Sequence, residues 1–98
     1  MIRIQITPTS LSATGHAGYN PGNDIVCAAV SALVQTFEAS AREFTTDEIR
    51  SSLQDGNAAS SWPRAPTEEL KLLIDVTCLG LIRLAETYPE NIKVTCTR

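Results

Sequence analysis

The stretch FTTDEIRSSLQDGNAASSW, residues 44–62, decides the fold. Thr45-Thr46-Asp47-Glu48 has the form of a capping box, and Ile49 with Leu53 fits one face of a short helix. The same residues also alternate, with Asp47, Ile49, Ser51 and Leu53 on one side and Glu48, Arg50, Ser52 and Gln54 on the other. Asp55-Gly56 then supplies a tight turn of the kind that joins antiparallel strands. That turn favours the hairpin, running from about Phe44 to Trp62, over the helix.

Downstream, Leu70, Leu73, Ile74, Thr77, Leu81, Leu84 and Tyr88 recur at helical spacing. Thr67 stands at the start, with Pro66 before it and Pro89 after the end. Leu72, Val76, Leu79 and Ile82 lie off this stripe, so the helix is apolar around most of its circumference. A helix of that kind expects a second cover, and in so short a chain a second subunit would supply it. Asn91 to Thr97 reads as a last strand, with Ile92, Val94 and Cys96 alternating. Upstream, Val26, Val30, Leu33 and Phe37 predict a helix, with Asp24 as its N-cap and Gly22 permitting the sharp entry. Gly18, Pro21 and Gly22 make Ala17 to Asn23 a loop, expected to be mobile. Leu11 to Thr14 is a second extended stretch. Ile2, Ile4 and Ile6 form a first strand that Pro8 ends. The expected order is β-β-α-β-β-α-β: a small α+β domain over 1–98, with about five strands in an antiparallel or mixed sheet packed with two helices.

Composition bounds the function. A chain of 98 residues holds one core, and its 43% hydrophobic and 19% charged residues are ordinary for a globular protein. A net charge of −3, with the eight Lys and Arg scattered singly, argues against direct nucleic-acid binding. No run of about twenty apolar residues is present to span a membrane. MIRIQITPTS lacks the apolar region of a signal peptide, so a cytoplasmic protein is expected. One histidine and the three cysteines Cys27, Cys78 and Cys96 lack the close ligand pairs of a zinc site, so no metal and no cofactor are expected. Cys78 and Cys96 read as core or interface residues.

The chemistry is concentrated in GHAGYNPGNDIVCAAVSAL, residues 15–33. With Asp24 as the cap, Cys27 sits in the first helical turn, where free backbone N–H groups and the helix dipole favour an anion such as a thiolate. His16, the single histidine, precedes a loop that ends at this same helix, and folding the loop back would bring it to Cys27. Each residue alone has an ordinary reading, Cys27 as a small core side chain and His16 as a solvated one. Together they form a candidate nucleophile and proton carrier.

Gly15-His16-Ala17, followed by Gly22-Asn23-Asp24-Ile25-Val26-Cys27-Ala28 and Ser31, resembles the ribosomal-processing cysteine protease family, Prp. The closing YPENIKV is similar to that family's helix end and last strand. The resemblance implies a cysteine endopeptidase that removes the N-terminal extension from the precursor of a ribosomal large-subunit protein, protein twenty-seven. It implies Cys27 as nucleophile, His16 as proton carrier, Gly15 as the bend that positions His16, and supporting roles for Asp24, Ser31 and Gly22. Backbone N–H groups at the helix start would hold the oxyanion. The 17–23 loop would act as a gate, and the protein would form a homodimer.

The interval of 27 − 16 = 11 residues is short for the family, and Pro21 stiffens the loop. Tyr19 is a candidate aromatic contact to substrate. The hairpin around Asp55-Gly56-Asn57 carries no family signature. The alternatives are a non-catalytic peptide-binding module, a phage-type enzyme processing a capsid or scaffold protein, and an oxidation sensor built on Cys27.

Overall fold

The computed structural model describes residues 1–98 and contains β1 (Ile2–Thr7), β2 (Ser10–Thr14), α1 (Ile25–Phe44), β3 (Arg50–Gln54), β4 (Asn57–Ser61), α2 (Glu68–Thr87) and β5 (Ile92–Cys96). The strands form one sheet in the order β3-β4-β2-β1-β5. All neighbours are antiparallel except β1 and β5, which run parallel, so the sheet is mixed. The expected element order and the hairpin are both observed.

Alternation explains the layering. Ile2, Ile4 and Ile6 of β1 and Leu11 and Ala13 of β2 are buried, whereas Arg3 and Gln5 are exposed. One face of the sheet is therefore apolar and covered, and the other is open to water. Val26, Val30, Val34, Phe37 and Ala41 of α1 join Leu70, Ile74, Cys78 and Leu81 of α2 in the same buried cluster. Val34 takes the core position expected of Leu33. Leu33 is half-buried and turns toward α2, where a Cβ added at Gly80 would lie 3.1 Å from its Cδ1. Trp62 closes the far end of the core, donating from Nε1 to the Pro8 carbonyl at 2.9 Å and meeting Phe37 edge-on at 5.9 Å.

The residues read as a capping box do other work. Thr45 ends α1, its hydroxyl donating to the Ala41 carbonyl at 2.7 Å. Asp47 accepts from the backbone N–H and the hydroxyl of Thr67, the N-cap of α2, so one carboxylate joins the start of the hairpin to the start of the second helix. The strand itself begins at Arg50. In the turn, Gly56 has a φ of +72°.

Leu72, Val76 and Leu79 are more than half exposed, and Ile82 is 40% exposed. No helix is long and apolar enough to cross a membrane. Cys78 is buried as expected, and desolvation pushes its thiol up, against the opposing contact with Arg98. Cys96 is exposed rather than part of the core. Along the edge strand β5 the cover thins from buried Ile92 through half-buried Val94 to Cys96.

Candidate active site

Asp24 builds the start of α1. Its backbone is extended, with φ −95° and ψ 103°, as an N-cap requires. One carboxylate oxygen accepts from the N–H groups of Val26 at 2.9 Å and Cys27 at 3.0 Å. The other accepts from Tyr19 at 3.0 Å and Asn20 at 3.3 Å. Desolvation pushes this carboxyl up, but the four backbone donors outweigh it and hold it below the usual carboxylate range. Asp24 therefore both caps the helix and fastens the loop to it.

A depressed folded value means that stabilisation by Asp24 is present in full above its ordinary value near 3.8 and is lost as pH falls through the lowered folded value. Asp24→Asn is expected to weaken the acid-induced loss of stability in that range, and Asp24→Ala to lower the melting temperature at neutral pH as well. Thermal melts between pH 2 and 7 would check both, and unchanged acid sensitivity in Asp24→Asn would refute this account.

Cys27 is half-buried in the first turn of α1, and its sulfur accepts a hydrogen bond from the Ala17 N–H at 3.3 Å. His16 stands at the end of β2. Gly15 before it has a φ of +93°, and its N–H donates to the Gly56 carbonyl at 2.9 Å. The turn of the β3–β4 hairpin is thus pinned beside His16. The structure brings His16, Cys27 and Ser31 to one cavity of about 250 Å³, walled opposite by Leu53 and Gly56. No hydrogen bond joins the imidazole to the sulfur. The sulfur is held by the Ala17 amide, and the ring rests against the turn.

Gly56 has a direct bearing on that ring. A Cβ at this position would stand 2.8 Å from His16 Nε2, and the backbone φ of +72° disfavours an L side chain. The ring can swing aside, so Gly56→Ala should still fold. With His16 as the proton carrier that the sequence suggests, a displacement of about 1 Å can cost about 100-fold in rate, and a kcat/KM loss approaching that size is expected. Full activity of a folded Gly56→Ala variant would show that the ring does not depend on the turn.

Other expected residues lie elsewhere. Tyr19 does not line the cavity; it packs edge-on against Tyr88 at 5.4 Å and 78°. Gly22 has a φ of +88° in the turn before Asp24. The loop expected to be mobile is tethered at several points: Asn91 Nδ2 donates to the Ala17 carbonyl at 2.9 Å, and Asp24 holds Tyr19 and Asn20. The helix-start amides expected to hold an oxyanion are already occupied, Val26 and Cys27 by the Asp24 side chain and Ala28 by the Asp24 carbonyl at 3.1 Å. No three His, Cys, Asp or Glu side chains gather in a way that would hold a metal ion.

No site role was assigned from the sequence to Gln35, Asp55, Ala17 or Asn91. Gln35 lies two turns beyond Cys27 and lines the cavity with Ser31, and the i, i+4, i+8 spacing carried that signal. Asp55 lines the cavity from the turn. Nothing in the local sequence marks Asn91, which meets Ala17 across 74 residues of chain.

A profile described as cysteine protease Prp matches residues 1–93. The chain is 32% identical over 99 aligned residues to the ribosomal processing cysteine protease Prp of Mycoplasma genitalium, spanning 96% of this chain and 94% of that protein. It is similar in structure to an essential ribosomal processing protease Prp from Staphylococcus aureus in complex with a covalently linked product peptide. The TM-score there is 0.92 at 25% identity, over 99% of this chain and 100% of that one. A protein from Streptococcus mutans shares the fold at a TM-score of 0.78 and 29% identity, over 99% of this chain and 94% of its own.

Proposed function

The chain belongs to the cysteine protease Prp family, and from that premise we propose that it removes the N-terminal extension from the precursor of a ribosomal large-subunit protein, protein twenty-seven, with Cys27 as nucleophile and His16 as proton carrier. The observation that carries this reading is that both side chains open onto one cavity, Cys27 at the capped start of α1 and His16 on the facing strand end. The Mycoplasma genitalium relative is named as a ribosomal processing protease, which supports the substrate class.

In this reading His16 takes the proton from Cys27 Sγ, and the sulfur attacks the scissile carbonyl carbon. A C–S bond forms while the carbonyl π pair moves to oxygen. Collapse of this intermediate breaks the C–N bond, and the departing amine takes its proton from His16. Water, deprotonated by His16, then cleaves the thioester and frees Cys27. Gly15 and Gly22 shape the approaches of the two catalytic segments, Asp24 anchors the helix start, and Ser31 lies one turn along α1 to meet the peptide. Tyr19, held on Tyr88, would reach substrate only at the rim of the loop.

The exposed stripe of Leu72, Val76, Leu79 and Ile82 supports a homodimer packed through α2. A cytoplasmic location goes with this reading, as the processing of a ribosomal protein would require. The test is to incubate the protein with the precursor and identify new termini by mass spectrometry. Removal of the N-terminal extension by the wild-type chain and not by Cys27→Ala is expected. An intact precursor alongside cleavage of a capsid or scaffold protein would overturn the ribosomal assignment.

A further inference from the structure

Cleavage through a thioester requires a donor for the negative oxygen that forms when sulfur adds to the carbonyl. The amides at the start of a helix are the usual source. Here those of Val26, Cys27 and Ala28 already donate to Asp24. Neither Ile25, at the first helical position and 57% exposed, nor Ala17 is a lining residue of the cavity, and of the two only Ala17 has its N–H on the sulfur. One backbone N–H remains close to the sulfur, that of Ala17. It lies 3.3 Å from Cys27 Sγ, in the peptide unit that joins it to cavity-lining His16.

We infer that the Ala17 N–H is the oxyanion donor of this protease and that Asn91 is the residue that positions it. Sulfur is a weak acceptor, so the resting contact is a modest one. As the C–S bond forms, the π pair moves to an oxygen bonded to the same carbon, and the sulfur becomes a neutral thioether. The N–H then exchanges a sulfur acceptor for an adjacent, charged oxygen. Its interaction strengthens as the barrier is approached, which is the condition for catalysis. As the intermediate collapses, the pair returns to the carbonyl, the C–N bond breaks and the amine takes its proton from His16.

A donor of this kind acts only if it is held still. Ala17 is 2% exposed, and its carbonyl accepts from Asn91 Nδ2 at 2.9 Å. Asn91 is itself fixed: its N–H donates to the Tyr88 carbonyl at 3.0 Å, and its carbonyl accepts from the Ile2 N–H at 2.8 Å. A single side chain thus ties the α2–β5 turn and the start of β1 to the strap that carries His16 and the donor.

The inference rests on the Cys27–His16 reading, and the experiment separates the two. The full chain can be assembled by ligation at the Val26–Cys27 junction with Ala17 replaced by L-lactate, which puts an ester oxygen where the N–H was. The expected result is a fall in kcat of about 100- to 1,000-fold with KM within about two-fold, the pattern of a lost oxyanion donor. Alkylation of Cys27 by iodoacetamide builds no oxyanion and should slow far less. Asn91→Ala should lower kcat in the ordinary chain and add little in the lactate chain, because the two act through one group. Unchanged kcat in the ester chain overturns the inference. So does an equal loss of kcat and alkylation rate, which would make the amide a partner of the sulfur alone. Cleavage surviving in His16→Ala would instead overturn the underlying pair.

Discussion

Replacing Cys27 with alanine is expected to abolish peptide cleavage, and replacing His16 with alanine to lower kcat/KM by about 10,000-fold or more. The expectation follows from the division of labour. In the proposed reading the sulfur makes the bond to carbon, and no other thiol lines the cavity, because Cys78 is buried and Cys96 is exposed at the end of β5. In the same reading His16 carries the proton in both halves of the reaction, and the chain has no second histidine to take over. Cys78→Ala and Cys96→Ala should accordingly keep full activity, which makes them controls for thiol chemistry in general.

Iodoacetamide labelling reads the same pair without a substrate. Cys27 should react faster than a free thiol at pH 6, and His16→Ala should remove that advantage. The Ala17 contact to the sulfur comes from backbone and is expected to persist in His16→Ala, so the change would report the imidazole. Equal labelling of wild type and His16→Ala, with cleavage retained by the variant, would exclude His16 as the proton carrier.

The legible part of this molecule is the part written in neighbouring residues. Ile2, Ile4 and Ile6 alternate, so β1 was readable. Asp55-Gly56 marks its turn, and Asp24 and Thr67 mark two helix starts, because in each case the cause of the structure lies within four residues. Leu33 and Val34 show the limit of periodicity. Both fit the helical stripe, and which faces the sheet depends on where α2 crosses, at Gly80, 47 positions along from Leu33 (80 − 33). Asp47 offered a local reading as part of a capping box. A distant hydroxyl, that of Thr67, took the carboxylate instead. The site divides the same way. Cys27 and His16 stood out through residue type and position. The Ala17 amide did not, because a backbone donor has no side chain to announce it, and Asn91 acquires its role only when β5 lies beside β1.

Gly15→Ala is expected to cost about 3 kcal/mol or more of stability, combining a strained φ with a steric overlap. At φ +93° an L residue is held in a region that glycine alone enters freely. The added Cβ would also overlap the Met1 carbonyl oxygen, which belongs to backbone and cannot rotate away. The start of β1 would have to move, and with it the Ile2 N–H that binds Asn91. For a chain of this size the loss corresponds to a melting temperature lower by roughly 10–20 °C.

Gly18 provides the comparison, since its φ of +69° is also left-handed but a Cβ there would meet nothing within 4 Å. Gly18→Ala should therefore show the conformational part alone, about 1 kcal/mol. Gly15→Asn should recover some of that part, because asparagine tolerates the left-handed region, and should keep the rest of the loss. If Gly15→Ala and Gly18→Ala prove equally stable, the close approach to Met1 is not what fixes the bend before His16. If Gly15→Asn remains nearly as unstable as Gly15→Ala, the overlap is, and the position of the His16 imidazole depends on the Met1–Ile2 peptide unit.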